Sequence, residues 1–249
     1  MIGPVGPPGK DAFNLIQWTP HSVRRMFRES EIINIFFDTK TDGIIFKNKK
    51  PVGLKNRGIG PPVVMIEHFP KLTQIKHAKY MMELNNSLFK VNPVKTGTTS
   101  PSLVIFALSF KALSNSTLPR FLFSNENITR AISIKEGDEV GILKIHSSGI
   151  EKEVEFDYTE WAVLLVQYRC FDHIVYCQYN LNDESGSLEP KKQDEKDSDS
   201  LYIGGHPNKN RAHHAVGSFE VYFSENGDEF LSDEMSKCLM SDILDRVGE

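Results

Sequence analysis

From residue 32 onward the chain alternates apolar and polar residues with a period of two, and turn signals break the alternation about every ten residues. Successive side chains of a strand point to opposite faces, so such a pattern buries one face and solvates the other. Each short strand must find neighbours for its backbone and cover for its apolar face, which closes the chain into a sandwich or a barrel. The alternation predicts about fourteen strands, at 32–37, 43–47, 63–66, 80–84, 87–91, 102–111, 120–123, 129–135, 139–145, 151–156, 162–169, 174–180, 201–204 and 215–223. Segment 102–111, Ser-Leu-Val-Ile-Phe-Ala-Leu-Ser-Phe-Lys, is the most apolar run and predicts a central strand, and 162–169 is expected to be central as well. The run Asp38-Thr39-Lys40-Thr41-Asp42-Gly43 between the first two strands reads as a hairpin turn. No internal repeat is visible, which sets a propeller aside.

Two segments switch to helical spacing. Thr19-Pro20 is an N-cap followed by proline at the first helical position. Val23, Met26 and Phe27 then share one face and Arg24, Arg25 and Arg28 the other, in a short helix ending near Glu31. Near the C-terminus Leu231, Met235, Cys238, Leu239, Ile243 and Val247 form an apolar stripe, narrowed at its edge by Asp242. A helix over 232–246 is expected, docked on its own domain; chain association through the stripe is the minority reading. Residues 184–200 are almost all polar and predict a solvated loop.

Ahead of the sandwich, Gly3, Gly6 and Gly9 recur at a strict period of three, in Gly-Pro-Val, Gly-Pro-Pro and Gly-Lys-Asp. Only glycine fits the crowded axis of a collagen triple helix, and proline pre-sets the polyproline II backbone. The expected organisation is a collagen stem end at 1–11, a sandwich at 12–223 and a helical tail at 224–249. A stem implies a homo- or heterotrimer and an extracellular, secreted protein. The first residues lack the basic and apolar parts of a signal peptide, so the sequence is expected to be a fragment or a mature form.

Charge and cysteine narrow the partners. A net charge of −4 argues against nucleic acid or an anionic membrane as the main partner. No apolar run reaches the roughly 18 residues of a transmembrane helix. With three cysteines at most one intrachain bridge can form. A turn at Phe171-Asp172-His173 would set Cys170 opposite Ile174 and Cys177 opposite Gln167, too far apart to bridge. Cys238 is therefore expected to pair with one of them.

Two motifs carry a resemblance. Trp161 opens the strand Ala162-Val163-Leu164-Leu165-Val166-Gln167-Tyr168, and Leu201-Tyr202-Ile203-Gly204-Gly205-His206-Pro207 is followed by a strand carrying Phe219. Over roughly residues 95–223, their order resembles the laminin G-like domains and related concanavalin A-like or pentraxin-like sandwiches. The resemblance implies an all-β, antiparallel two-sheet jelly-roll sandwich with Trp161 and Phe219 in its core. Gly204 and Gly205 would turn the chain sharply and Pro207 would stop ladder pairing. It also implies a rim Ca²⁺ site, for which Asp38, Asp42 and Asp138 are the candidates, although Asp in turns ordinarily bonds its own backbone. A complement-type or tumour-necrosis-factor-like head on a collagen stem ranks second.

Catalytic motifs are absent, and the chain is expected not to be an enzyme. His206, His213 and His214 read as exposed loop histidines. Asn85, Asn115 and Asn127 head glycosylation sequons. The basic run Lys47-Asn48-Lys49-Lys50, with Lys55 and Arg57, reads as a solvated hairpin face able to meet sulfated glycans. The leading expectation is an extracellular matrix protein, structural and adhesive, with a glycan, glycosaminoglycan or matrix-protein ligand. The alternative is a carbohydrate-binding defence lectin.

Overall fold

The computed structural model describes residues 18–37, 44–55, 63–67, 70–76, 79–91, 103–113, 118–136, 140–193, 200–209, 211, 213–224 and 230–247. Within them the chain is an all-β, two-sheet antiparallel sandwich with two helices. Gly3, Gly6, Gly9, Asp38, Asp42, Asn115 and Asp138 lie outside the described residues.

One sheet contains β1 (Glu31–Phe37), β5 (Lys71–Lys76), β6 (Lys79–Asn85), β8 (Leu103–Ala112), β13 (Ala162–Phe171), β14 (Ile174–Leu181), β15 (Glu184–Lys192) and β17 (His213–Ser224). Its order is β15-β14-β13-β8-β17-β6-β5, with β1 also on β17. The other contains β2 (Ile44–Lys47), β3 (Lys50–Leu54), β4 (Val63–Glu67), β7 (Leu88–Val91), β9 (Arg120–Asn125), β10 (Arg130–Glu136), β11 (Gly141–Ser147), β12 (Ile150–Phe156) and β16 (Leu201–Ile203), in the order β12-β11-β10-β9-β16-β7-β4-β3-β2.

Both sheets turn alternate side chains into one shared core. Phe106 of β8 stacks on Phe123 of β9 across the layers with ring centroids 4.6 Å apart. Tyr168 of β13 is fully buried and donates its hydroxyl hydrogen bond to the Ala131 carbonyl of β10, 3.1 Å away. A buried phenol needs such a partner, and this one ties the two sheets together.

β8 and β13 are apolar on both faces because a third layer covers the first sheet. Helix α1 (Pro20–Ser30) contributes Val23 and helix α2 (Asp233–Asp245) contributes Met235, Leu239, Met240 and Ile243 to a second cluster with Leu103, Ile105, Val163, Leu165 and Tyr222. The C-terminal stripe is thus docked on its own domain. Ser232 caps α2 by accepting from the Met235 amide. Arg24 departs from the solvent face that helical spacing assigns it. Its guanidinium reaches Glu220 of β17 at 2.6 Å and Asp242 of α2 at 2.5 Å, because a carboxylate with no exposed surface needs a cation there.

Four further departures from the sequence reading have local causes. β1 pairs with β17 and β2 with β3, in different sheets, so the connection at 38–43 is not a hairpin. Residues 184–192 of the expected polar loop form edge strand β15, which holds to β14 through its backbone ladder and buries only Leu188. Pro190 falls where the β14–β15 register shifts, and Gly186 lies under the Tyr179 ring. The turn after β13 is Asp172-His173, both at positive φ, which moves the register by one and sets Cys170 opposite Val175 and Cys177 opposite Tyr168. None of the three cysteines forms a disulfide, so the expected pairing of Cys238 is not made: Cys177 is in the core, and Cys238 on α2 points its thiol at the Trp18 carbonyl, 3.4 Å away.

Candidate functional site

β9 to β12 form one wing of the second sheet, and their alternation sorts its residues into two faces. Ile132, Ile134, Leu143, Ile145, Val154 and Phe156 enter the core. The intervening positions gather on the outer face: Phe121 is opposite Ser133, Ser133 opposite Lys144, Lys144 opposite Glu153, and His146 opposite Glu151. A solvated sheet face would leave these side chains open. Here Ser133 is 1% exposed and both Phe121 and His146 are 8% exposed.

The cover is the segment after β16. The Gly204 amide donates to the Leu122 carbonyl at 2.7 Å, and the Ser124 hydroxyl donates to the Gly205 carbonyl at 2.9 Å. Gly204 has φ +87°, and a Cβ there would lie 2.3 Å from the Ser87 carbonyl oxygen, so glycine is required. The chain then lays His206 against Phe121, at 6.1 Å between ring centroids, and brings Arg211 beside Phe121 in an isolated parallel bridge. His206 is 5% exposed. Its Nδ1 accepts from the Asn208 amide at 3.1 Å, which leaves Nε2 to donate to the Glu126 carbonyl at 3.0 Å. His206 is a structural pin, not an exposed loop side chain, and His214 on β17 is fully buried.

What remains open is a cavity of about 340 Å³ lined by Pro119, Phe121, Ile128, Ser133, Lys144, His146, Glu151 and Lys209. Across its floor runs a hydrogen-bonded chain. Ser133 Oγ lies 3.1 Å from His146 Nε2, His146 Nδ1 lies 3.2 Å from Glu151 Oε1, and Lys144 Nζ donates to Glu151 Oε2 at 2.9 Å. Burial pushes the His146 pKa below its ordinary value despite the Glu151 carboxylate. The hydrogen bond from Lys144 holds Glu151 below the usual carboxylate range, and bonds to Glu151 and Glu153 raise Lys144. A neutral imidazole donating from Nδ1 to Glu151 and accepting the Ser133 hydroxyl on Nε2 satisfies every partner. The order serine–histidine–carboxylate is that of a hydrolytic triad. Ser133 is nevertheless almost wholly buried, and Glu151 divides its oxygens between His146 and Lys144. Such a ladder fixes the polar groups that line the cavity.

The residues singled out from the sequence fall in three places. Gly204, Gly205 and half-buried Pro207 lie in the segment after β16 that lays His206 against Phe121. Phe219 is in the core. Trp161 is half-buried and belongs to neither core cluster, because it sits just before β13 begins, at the rim, where Tyr158 and Ala162 turn inward instead. Asn85 is exposed at the end of β6, and Asn127 is exposed in the β9–β10 turn whose Ile128 lines the cavity. Among the described residues no group of three or more His, Cys, Asp or Glu could hold a metal ion, and no helix is long and apolar enough to cross a membrane. Ser133, Lys144, His146 and Glu151 were not singled out, since each occupies an ordinary polar position of an alternating strand.

No family model matches the chain, and no curated protein matches it in sequence. Solved structures do share its fold. The binding domain of botulinum neurotoxin serotype D is 13% identical, with 88% of this chain and 52% of that chain covered and a TM-score of 0.53. The binding domain of botulinum neurotoxin DC, solved with rat synaptotagmin II, is 10% identical, with 87% of this chain and 52% of that chain covered and a TM-score of 0.52. The chain spans about half the length of these structures, and the likeness is one of fold: a large two-sheet β-sandwich.

Proposed function

We propose that this chain is a secreted, non-enzymatic recognition module that binds carbohydrate in the cavity over β9–β12. The observation that carries this reading is the lining itself. Phe121, an acceptor, Glu151, and donors Lys144 and Lys209 all line one open cavity. Sugars offer apolar C–H faces for an aromatic ring and vicinal hydroxyls for a carboxylate and an ammonium group, so this mixture suits them. The fold neighbours are named as binding domains, which supports a recognition role. Matrix attachment rests on the Gly3, Gly6 and Gly9 triplets, and a stem joining three modules would raise weak contacts to useful avidity.

Glycan-array binding followed by titration tests the proposal. Glu151→Gln is expected to weaken binding about tenfold, the effect of one charge-assisted hydrogen bond, while leaving the fold intact because Glu151 is half exposed. Chelation of calcium is expected to change nothing. Wild-type protein that binds no glycan, or a Glu151→Gln variant that binds as wild type, would sink the reading. The Ser133–His146–Glu151 chain favours a second reading, an acyl hydrolase. Ester turnover abolished by Ser133→Ala would establish it.

A further inference from the structure

The far edge of the same sheet carries a second feature, remote in sequence from the cavity. β2 and β3 form a hairpin whose turn is Asn48-Lys49, with φ of 51° and 63°. Two-residue turns of this kind favour glycine at the second position, because a side chain at positive φ is strained. Here it is a lysine. Lys47 and Lys50 are direct cross-strand partners, an arrangement in which like charges repel. Phe46, the neighbour of Lys47, is 51% exposed, and Lys47, Lys49, Lys50 and Lys55 are all exposed. Residues 44–55 hold four lysines and no acid in a chain whose net charge is −4.

Lysines on an edge strand guard against pairing with another sheet. That explanation covers charge on β2, but a half-exposed phenylalanine works against it. A basic tip with a protruding aromatic ring, held against turn preference and mutual repulsion, has the chemistry of a contact with an anionic interface. We propose that the β2–β3 hairpin docks on an anionic lipid bilayer surface, with the lysines against the headgroups and Phe46 in the interfacial layer. The overall acidity of the chain keeps this contact local and salt-sensitive. It is independent of the glycan cavity.

Sedimentation with phosphatidylcholine vesicles, with and without about a third phosphatidylserine, tests it on the whole chain. Binding is expected only with phosphatidylserine and should weaken as sodium chloride rises. Lys47→Gln and Lys49→Gln should each reduce partitioning roughly fivefold, the worth of one surface lysine near such a membrane. Phe46→Ser should reduce it roughly tenfold through lost apolar contact. These side chains are exposed, so unchanged melting temperatures are expected and would confirm intact variants. Glu151→Gln should bind vesicles as wild type. Absence of binding to anionic vesicles, a Phe46→Ser variant that binds fully, or capture by heparin beads without vesicle binding would each overturn the proposal. So would loss of vesicle binding in Glu151→Gln.

Discussion

Gly204 shows how much one residue can hold. Its positive φ and its 2.3 Å approach to the Ser87 carbonyl both forbid a side chain. Gly204→Ala is therefore expected to cost about 1–3 kcal/mol in urea melts, and more if the covering segment through His206 is displaced. A change below about 0.5 kcal/mol, as for surface substitutions, would refute that role. The sequence marked Gly204 as a turn, but its close contacts with Leu122 and Ser87 became visible only with the fold. His146 left no mark at all, since histidine at a polar strand position looks like any solvated side chain. Its burial has a pH signature. The folded value lies below the unfolded one of about 6.5, so the unfolded chain binds the proton more readily. Stability is full above about pH 6.5 and falls as pH drops towards the lower folded value. His146→Gln, which keeps neutral polar groups at the site, should flatten that part of the stability–pH curve. A wild-type curve already flat from pH 7.5 to 5 would contradict it.

Among the elements, those with strong apolar alternation were legible and those held by backbone alone were not. β8 and β13 appear where their apolar runs predict them, at the centre of the first sheet. β15 reads as a loop because an edge strand with one solvated face needs little apolar content, and its hydrogen-bond ladder is invisible in composition. Helix α1 was found, but not what anchors it. Arg24 joins α1 to β17 through Glu220 and to α2 through Asp242, while Arg246 reaches Asp242 at 2.5 Å and Tyr222 donates to Glu220. Arg24→Ala strips the main cation from a fully buried carboxylate and should cost about 3–5 kcal/mol in denaturant melts. Burial alone would raise the Asp242 pKa, but Arg24 and Arg246 outweigh it and hold the carboxyl low. Its contribution is present above the unfolded value of about 3.9 and is lost as pH falls through the folded value. Acid below that lowered folded value should thus break the Arg24–Asp242 link between α1 and α2. Trp18, packed on the second cluster beside α1, provides the fluorescence readout. An Asp242→Asn variant that keeps the wild-type acid midpoint would rule out this carboxylate as the cause.

At the scale of the molecule, the three-layer arrangement bears on how chains assemble. The α2 stripe of Leu231, Met235, Leu239 and Ile243 is spent on the first sheet and offers no apolar seam to a second copy. On the stem reading proposed above, association would fall to the glycine triplets at 1–11, and three of them are too few. Ordering three chains fixes many residues at about 1–2 kcal/mol each, against contacts along a very short axis. The chain of 249 residues is therefore expected to be monomeric at micromolar concentration in light scattering. Appending many further Gly-x-y triplets ahead of Gly3 should yield a trimer, since glycine at every third position then gives three chains a continuous axis. Each trimer would present three cavities, and apparent affinity for a glycan-coated surface should rise by orders of magnitude over the monomer. A monomer despite the added triplets would undo the stem reading. A trimer that survives removal of residues 1–11 would move the association to the folded domain, on a surface other than the α2 stripe, which is already covered.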